Sequence, residues 1–273
     1  HEIRVPQRPF PDRRVEHDIW HFGENRLAIR RAFEQAEKLL QEHPKHQLVT
    51  VGGDHTSSIG SVLALNATLR TKEQRMGLLW LDAHPDLNTP KTSPSGLAHG
   101  MALASILGKC RELTGGKIDP CAYLSSAQVL LLGLQPNAFD TGETDMLRSQ
   151  HIAYVDLTTI LQDTEAWQDR VTDWLATVDV LYISSDLDAF SDEYSPAVNS
   201  GRGTGLSIDD FHAIAELLDR QIPVAGFDIV EYNPDDSKPN RQRTLQTAKL
   251  VAKRLRDIGR ERPHREVSPL SAC

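Results

Sequence analysis

Six residues of metal-ligand type sit at the ends of three expected strands, and they constrain the fold more than any other feature of this chain. His55 lies in Gly52-Gly53-Asp54-His55. Asp82, His84 and Asp86 lie in Asp82-Ala83-His84-Pro85-Asp86, and Asp186 and Asp188 in Ser185-Asp186-Leu187-Asp188. Only a fold that brings three strand ends to one place can use them together. Four carboxylates and two imidazoles suit two hard divalent ions better than one. A carboxylate can bridge such a pair, and a water shared by it ionises near neutral pH. The i, i+2, i+4 spacing of Asp82, His84 and Asp86 puts three side chains on one face of an extended segment. Each motif alone has a plain reading as a polar loop, a pair of turn formers or a glycine turn. Their conjunction carries the metal reading. An oxygen-rich set with imidazole and no thiolate suits two Mn²⁺ ions ahead of Mg²⁺ or Zn²⁺.

The rest of the chain supplies such a fold. Short apolar runs predict strands at Gln47–Gly52, Gly77–Asp82, Gln128–Leu134, Ile152–Val155, Val178–Ser184 and Val224–Phe227. Between them, apolar residues at three- and four-residue steps predict helices. These are Leu27–Glu42, Ser57–Leu69, His99–Leu107, Thr144–Ser149, Glu165–Leu175, Ile208–Leu218 and Arg241–Leu255. Strands that are apolar throughout, most followed by a helix, imply a parallel sheet covered on both faces. The expected class is α/β, a three-layer αβα arrangement with a mainly parallel sheet. A single domain over 1–273 is expected, with residues 1–24 as an irregular N-terminal segment. Open parallel sheets bind ligands beyond the carboxyl ends of their strands, where all three motifs fall.

Composition narrows the partners. The chain has 30 basic and 38 acidic residues, a net charge of −8. That disfavours a nucleic-acid surface, which needs a basic stripe. No apolar run approaches the roughly 20 residues of a membrane helix. Three cysteines, Cys110, Cys121 and Cys273, in no ligand or framework spacing, read as free thiols in a reducing compartment. The charged N-terminus shows no signal peptide, so a cytoplasmic location is expected.

The three motifs resemble those of the ureohydrolase superfamily, which comprises arginases, agmatinases and formimidoylglutamases. Asn88-Thr89-Pro90, Ser95-Gly96, His99-Gly100 and the run Asp228-Ile229-Val230-Glu231-Tyr232-Asn233-Pro234 are similar to arginase in particular. The resemblance runs from Val49 to Leu255 and implies an arginase-like fold. It further implies a dinuclear Mn²⁺ hydrolase acting on a guanidino or formimidoyl substrate, held by His55, Asp82, His84, Asp86, Asp186 and Asp188. By the same resemblance Asp86 orients the attacking water, Glu231 receives the guanidinium and His99 shuttles a proton. Asn88 and Ser95 fall where arginases contact the substrate α-carboxylate. Asp140 falls near the aspartate that meets the α-amino group, given a short insertion; as a residue type it reads equally as a helix N-cap. Trimers and hexamers are common in the superfamily, so a homo-oligomer is the implied assembly.

The sequence also departs from arginase. Leu97 stands where arginases usually carry asparagine. The loop after Asp188 lacks the usual Asp-Pro, and no counterpart of the family's first strand is evident. L-Arginine hydrolysis to L-ornithine and urea is the leading expectation. Formimidoylglutamase and agmatinase or guanidino-acid hydrolase are the alternatives, and a metal-binding scaffold without turnover is a third. His99 weighs against the formimidoylglutamase, whose relatives tend to lack it.

Overall fold

Apolar residues on both faces of every central strand force this sheet to be covered twice, and the helices do so. The computed structural model describes residues 19–200 and 203–259. The order begins α1 (Ile19–Glu42), β1 (Leu48–Val51), α2 (Thr56–Arg70) and β2 (Met76–Leu81). It continues with α3 (Ala102–Ile106), α4 (Arg111–Thr114), β3 (Val129–Leu134), α5 (Thr141–Ser149) and β4 (Ala153–Asp156). Then come α6 (Leu157–Gln162), α7 (Thr164–Leu175), β5 (Val180–Asp186), α8 (Ile208–Gln221), β6 (Val224–Val230) and α9 (Lys238–Asp257). The six strands are parallel and lie in the order β1-β6-β5-β2-β3-β4.

Side chains alternate cleanly across the sheet. Leu78, Trp80, Leu131 and Tyr182 face a layer to which α1, α2, α3 and α5 contribute Ile29, Leu63, Leu103 and Leu147. Leu79, Leu81, Leu132, Ile183 and Phe227 face the other way, toward Ile160, Trp167, Phe211 and Val251 of α6 to α9. Each such side chain taken from water contributes about 1.5–3 kcal/mol, which is what holds the three layers together. Helix α1 meets the buried α2 at Gly60, where an added Cβ would lie 2.7 Å from both Ile29 O and Ala32 Cβ. Only a glycine lets these two backbones approach so closely.

Strand order places the site. From β2 the chain winds outward through β3 and β4. It then returns to β5, on the other side of β2, and winds outward through β6. Between β2 and β5 the winding reverses, which opens a crevice at their carboxyl ends.

Segments that differ from the sequence expectation include the one-turn α4, the start of α1 and α6. Helix α1 begins at Ile19, so residues 19–24 are helical where an irregular segment was expected. No proline lies between Pro11 and Pro44, so none breaks the helix between Ile19 and Glu42. The remainder of that segment, 1–18, lies outside the described residues. Helix α6 was not anticipated, because Leu-Thr-Thr-Ile-Leu-Gln is β-branched and short. It forms because the Asp156 side chain accepts from Thr159 N at 2.7 Å and because Leu157 and Ile160 are buried. Among the described residues, no helix is long and apolar enough to cross a membrane.

Candidate metal centre and active site

Three loops deliver the six ligand-type side chains to the crevice between β2 and β5. Gly52 ends the β1 turn so tightly that a Cβ would lie 2.5 Å from Ser57 Cβ, and three residues on His55 precedes α2. Asp82 follows β2 directly, Asp186 is the last residue of β5, and Asp188 lies in the 3-10 turn after it. His55 Nδ1 is 3.0 Å from Asp82 Oδ2, 3.1 Å from Asp86 Oδ2 and 3.0 Å from Asp186 Oδ2. His84 Nδ1 is 3.1 Å from Asp188 Oδ2 and 3.5 Å from Asp82 Oδ1. The six therefore form two groups, one around His55 and one around His84, and Asp82 belongs to both.

The arrangement fits a pair of cations on its own chemistry. His55 Nδ1 and Asp82 Oδ2 are buried and meet no hydrogen-bond partner of proper geometry. Burial pushes the Asp86 carboxyl up to about 6, Asp82 adds to the rise, and His55 and His99 oppose it. Burial raises Asp186 well above the carboxylate range, with Asp188 and Asp82 adding repulsion. Burial opposes charge on His55, yet Asp186, Asp82 and Asp86 outweigh it and raise the imidazole well above its ordinary value. Burial likewise opposes charge on His84, and Asp188 and Asp82 raise it to about 12. Four buried carboxylates facing one another call for positive charge between them. Two divalent ions supply as much as the four remove.

Backbone amides hold the carboxylates in place. His84 N donates to Asp82 Oδ1 at 2.7 Å, Asp188 N to Asp186 Oδ1 at 2.7 Å, and Ser200 Oγ to Asp188 Oδ2 at 2.9 Å. Asp86 itself has φ 50° and Glu231 φ 66°, left-handed values that cost a residue with a Cβ free energy. Both are among the residues expected from sequence to do chemistry.

A cavity of about 390 Å³ opens over the two groups, lined by His84, Asp86, Asp186 and Asp188. His99, Glu231, Asn88, Ser95 and Asp140 line it too, so the expected catalytic and substrate-contacting residues share one space with the ligands. His99 opens a 3-10 turn leading into α3, and its Nδ1 stands 3.4 Å from Glu231 Oε1. Burial opposes charge on His99, but Glu231 raises it to about 9, with Asp86 and Asp54 assisting. Glu231 Oε1 also accepts from His55 N at 2.9 Å, which ties the carboxylate to the turn carrying that histidine.

Asp140 is the helix cap that one reading of the sequence expects, and it also lines the cavity. It caps α5, accepting from Glu143 N at 3.0 Å, and it faces the cavity, where Oδ2 accepts from Asn88 Nδ2 at 3.0 Å. Asn88 Oδ1 accepts in turn from Thr92 Oγ1 at 2.9 Å. Ser95 is exposed at the rim and its hydroxyl accepts from Leu97 N at 3.2 Å.

Sequence reasoning missed Glu143, a buried carboxylate on the cavity wall that accepts from Leu87 N at 3.2 Å and Asp140 N at 3.2 Å. Burial pushes it up to about 7, Asp86 adds to the rise, and the Asp140 and Leu87 amides oppose it. The capping-box spacing Asp140-x-x-Glu143 was the signal that could have found it. Also missed were Ser200 and the serine and aspartate beneath His55, Ser184 and Asp228, whose strand-interior positions look structural.

Comparison with known proteins agrees with this geometry. The Entamoeba histolytica arginase is 30% identical over 193 residues, 68% of this chain and 62% of that protein. The chain thus spans less than two thirds of that relative's length. Rabbit (Oryctolagus cuniculus) arginase-1 is 27% identical over 263 residues, 92% of this chain and 79% of that protein. The crystal structure of Bacillus cereus arginase superposes with a TM-score of 0.77 at 26% identity, covering 86% of this chain and 79% of that one. The Bacillus subtilis formimidoylglutamase shares the fold, with a TM-score of 0.68 at 19% identity, covering 84% of this chain and 66% of that one. A model of the arginase family matches residues 9–258, and with two clusters of ligand-type residues in one crevice of a matching fold, the chain belongs to the arginase family.

Proposed function

We propose that this protein is a dinuclear-metal hydrolase of a guanidino compound, most like an arginase that converts L-arginine to L-ornithine and urea. The observation that carries it is the meeting of both ligand groups with His99 and Glu231 in one cavity. His55, Asp82, Asp86 and Asp186 would hold one Mn²⁺, and Asp82, His84 and Asp188 the other. When bound, the ions supply an activated water and offset the negative charge that develops on the substrate carbon's substituents.

The side chains do the rest. Glu231 binds the guanidinium through charge-assisted hydrogen bonds and sets its plane over the ligand groups. Asp86 orients the attacking water by accepting its hydrogen bond. His99, at the wall beside Glu231, delivers a proton to the departing amine as the carbon–nitrogen bond breaks. Asp140 and Asn88 contact the far end of the substrate, and Ser95 meets it at the rim.

A second reading has one observation behind it. Leu97, two residues after the cavity-lining Ser95, is 38% exposed and offers an apolar side chain where arginases carry an amide. A lost hydrogen bond to a charged group costs roughly 1.5–3 kcal/mol. That favours a guanidino amine or another guanidino acid over arginine.

The test is a panel. The Mn²⁺-loaded protein is incubated with arginine, agmatine, guanidinobutyrate, guanidinopropionate and formimidoylglutamate, with urea, ammonia and formamide read separately. Urea from arginine supports the leading reading, and urea from agmatine, guanidinobutyrate or guanidinopropionate but not from arginine supports the second. Formamide moves the protein to the formimidoylglutamase chemistry, and no product from any substrate overturns the hydrolase.

A further inference from the structure

We propose that Asp228 is a positioning residue that acts through Ser184 to decide which nitrogen of His55 faces the metal centre. The proposal rests on the dinuclear reading above. His55 Nε2 lies 2.8 Å from Ser184 Oγ, and Ser184 Oγ lies 2.8 Å from Asp228 Oδ1. All three side chains are buried.

Proton allocation fixes the direction of the chain. Asp228 Oδ1 also receives the Ser185 backbone N–H at 3.3 Å, and an amide N–H can only donate. Oδ1 is therefore an acceptor, whatever the protonation of the orphaned Oδ2. The single Ser184 hydroxyl proton goes to Asp228 Oδ1 at 2.8 Å in preference to Ser58 Oγ at 3.4 Å, the longer of its two contacts as a donor. The oxygen of Ser184 then accepts from His55, which places the imidazole proton on Nε2. The lone pair is left on Nδ1, the atom that faces Asp82, Asp86 and Asp186. Partners of this kind fix the tautomer and orientation of metal-binding histidines.

Strand register builds the relay into the sheet. Thr50 of β1 pairs with Asp228 of β6, Asp228 with Ser184 of β5, and Ser184 with Trp80 of β2. The four thus form one row on one face. Trp80 stacks on the His55 ring, with centroids 3.9 Å apart and planes 7° apart. Stacking fixes the ring plane and the relay fixes the rotation within it. Neither Ser184 nor Asp228 faces the cavity, so neither touches substrate.

The experiment measures Zn²⁺ affinity by chelator competition, apart from any turnover, in wild type, Asp228→Asn, Asp228→Leu, Ser184→Ala and the Asp228→Leu/Ser184→Ala double variant. Asn keeps an acceptor oxygen and should stay close to wild type. Leu frees the serine proton to turn toward His55 Nε2, and should weaken one of two Zn²⁺ sites by about 10- to 100-fold. In the Ser184→Ala background the Asp228→Leu change should cost much less than in wild type, because the hydrogen-bonded route to His55 is gone and only through-space attraction is left. Losses that add in the double variant, or an Asp228→Leu protein with wild-type affinity, overturn the relay and leave the dinuclear reading standing. Should Asp228→Leu not fold, nitrogen NMR of the Zn²⁺-loaded wild type decides. A proton on Nε2 with slow solvent exchange supports the relay, and a proton on Nδ1 overturns it. A wild type that binds no Zn²⁺ overturns the dinuclear reading itself, and the relay with it.

Discussion

His99 Nδ1 and Glu231 Oε1 lie 3.4 Å apart across the mouth of the ligand groups, so the expected proton carrier and the expected guanidinium receptor are each other's partner. A guanidinium that reaches Glu231 displaces the imidazole from its strongest anion. Under the proposed function, binding of substrate would thereby lower the proton affinity of the group that is to release a proton.

This pairing has a pH signature. Glu231 holds His99 up at about 9, above its ordinary 6.5. A raised histidine contributes stability that is complete below pH 6.5 and lost as pH climbs through 9. The metal-free wild type should lose stability relative to Glu231→Gln across that window. Urea melts at intervals from pH 6 to 10 check it, and parallel curves for the two proteins would count against the pair. In the metal-loaded protein, Glu231→Gln should lower kcat/KM by about 10- to 100-fold, the weight of a charged hydrogen bond of roughly 1.5–3 kcal/mol.

Glu143 should act in the same sense at lower pH. Its carboxyl is pushed from 4.5 to about 7, which at about 1.4 kcal/mol per pH unit amounts to about 3 kcal/mol. That stability is complete below pH 4.5 and lost as pH rises through 7. Glu143→Gln should therefore gain on wild type over that range, after a fixed loss from the weakened capping box. Thermal melts of the chelated proteins from pH 4.5 to 7.5 give the difference directly. A constant gap would show that burial does not hold this carboxyl up.

Asp140 caps α5 and lines the cavity, and under the proposed function substitution separates the cap from a substrate contact. Asp140→Ala removes the α5 cap and should cost about 1 kcal/mol, or about 2–4 °C in Tm for a domain of this size. Asp140→Ser restores a capping oxygen and should recover most of the Tm. It cannot restore the carboxylate beside Asn88, so KM should stay raised in both variants while kcat changes little. Recovery of KM by serine would mean that only the cap matters.

Gly60→Ala tests the contact between α1 and α2. Its methyl would lie 2.7 Å from Ile29 O, a backbone atom that moves only with its helix. A loss of about 1–3 kcal/mol is expected, as for other overpacked sites. Urea denaturation measures it, and a neutral result would mean that α1 shifts freely on α2.

Much of this was legible from residue pattern, and the parts that were not share a cause. The six ligand-type residues announced themselves because Asp and His at strand ends have little reason to converge unless something holds them. The strands were readable because runs such as Val129–Leu134 are apolar on both faces. Glu143 escaped notice because a glutamate three residues after an aspartate is a common helix start, and its burial depends on the distant Leu87 amide. Ser184 and Asp228 escaped because side-chain hydrogen bonds between neighbouring strands follow register, and register is a property of the assembled sheet. Helix α6 escaped because its cap and its packing, rather than its residue preferences, decide its conformation.

The left-handed backbones of Asp86 and Glu231 set this protein's robustness against its chemistry. Each costs of order 1–3 kcal/mol that a glycine would release. At Asp86 a glycine also removes a carboxylate that burial and Asp82 oppose, so that variant without metal should survive hotter conditions than the parent. At Glu231 the lost bonds to His55 N and His99 offset the released strain. Selection for heat tolerance alone would therefore tend to erase the Asp86 side chain, and only selection that includes turnover would keep it.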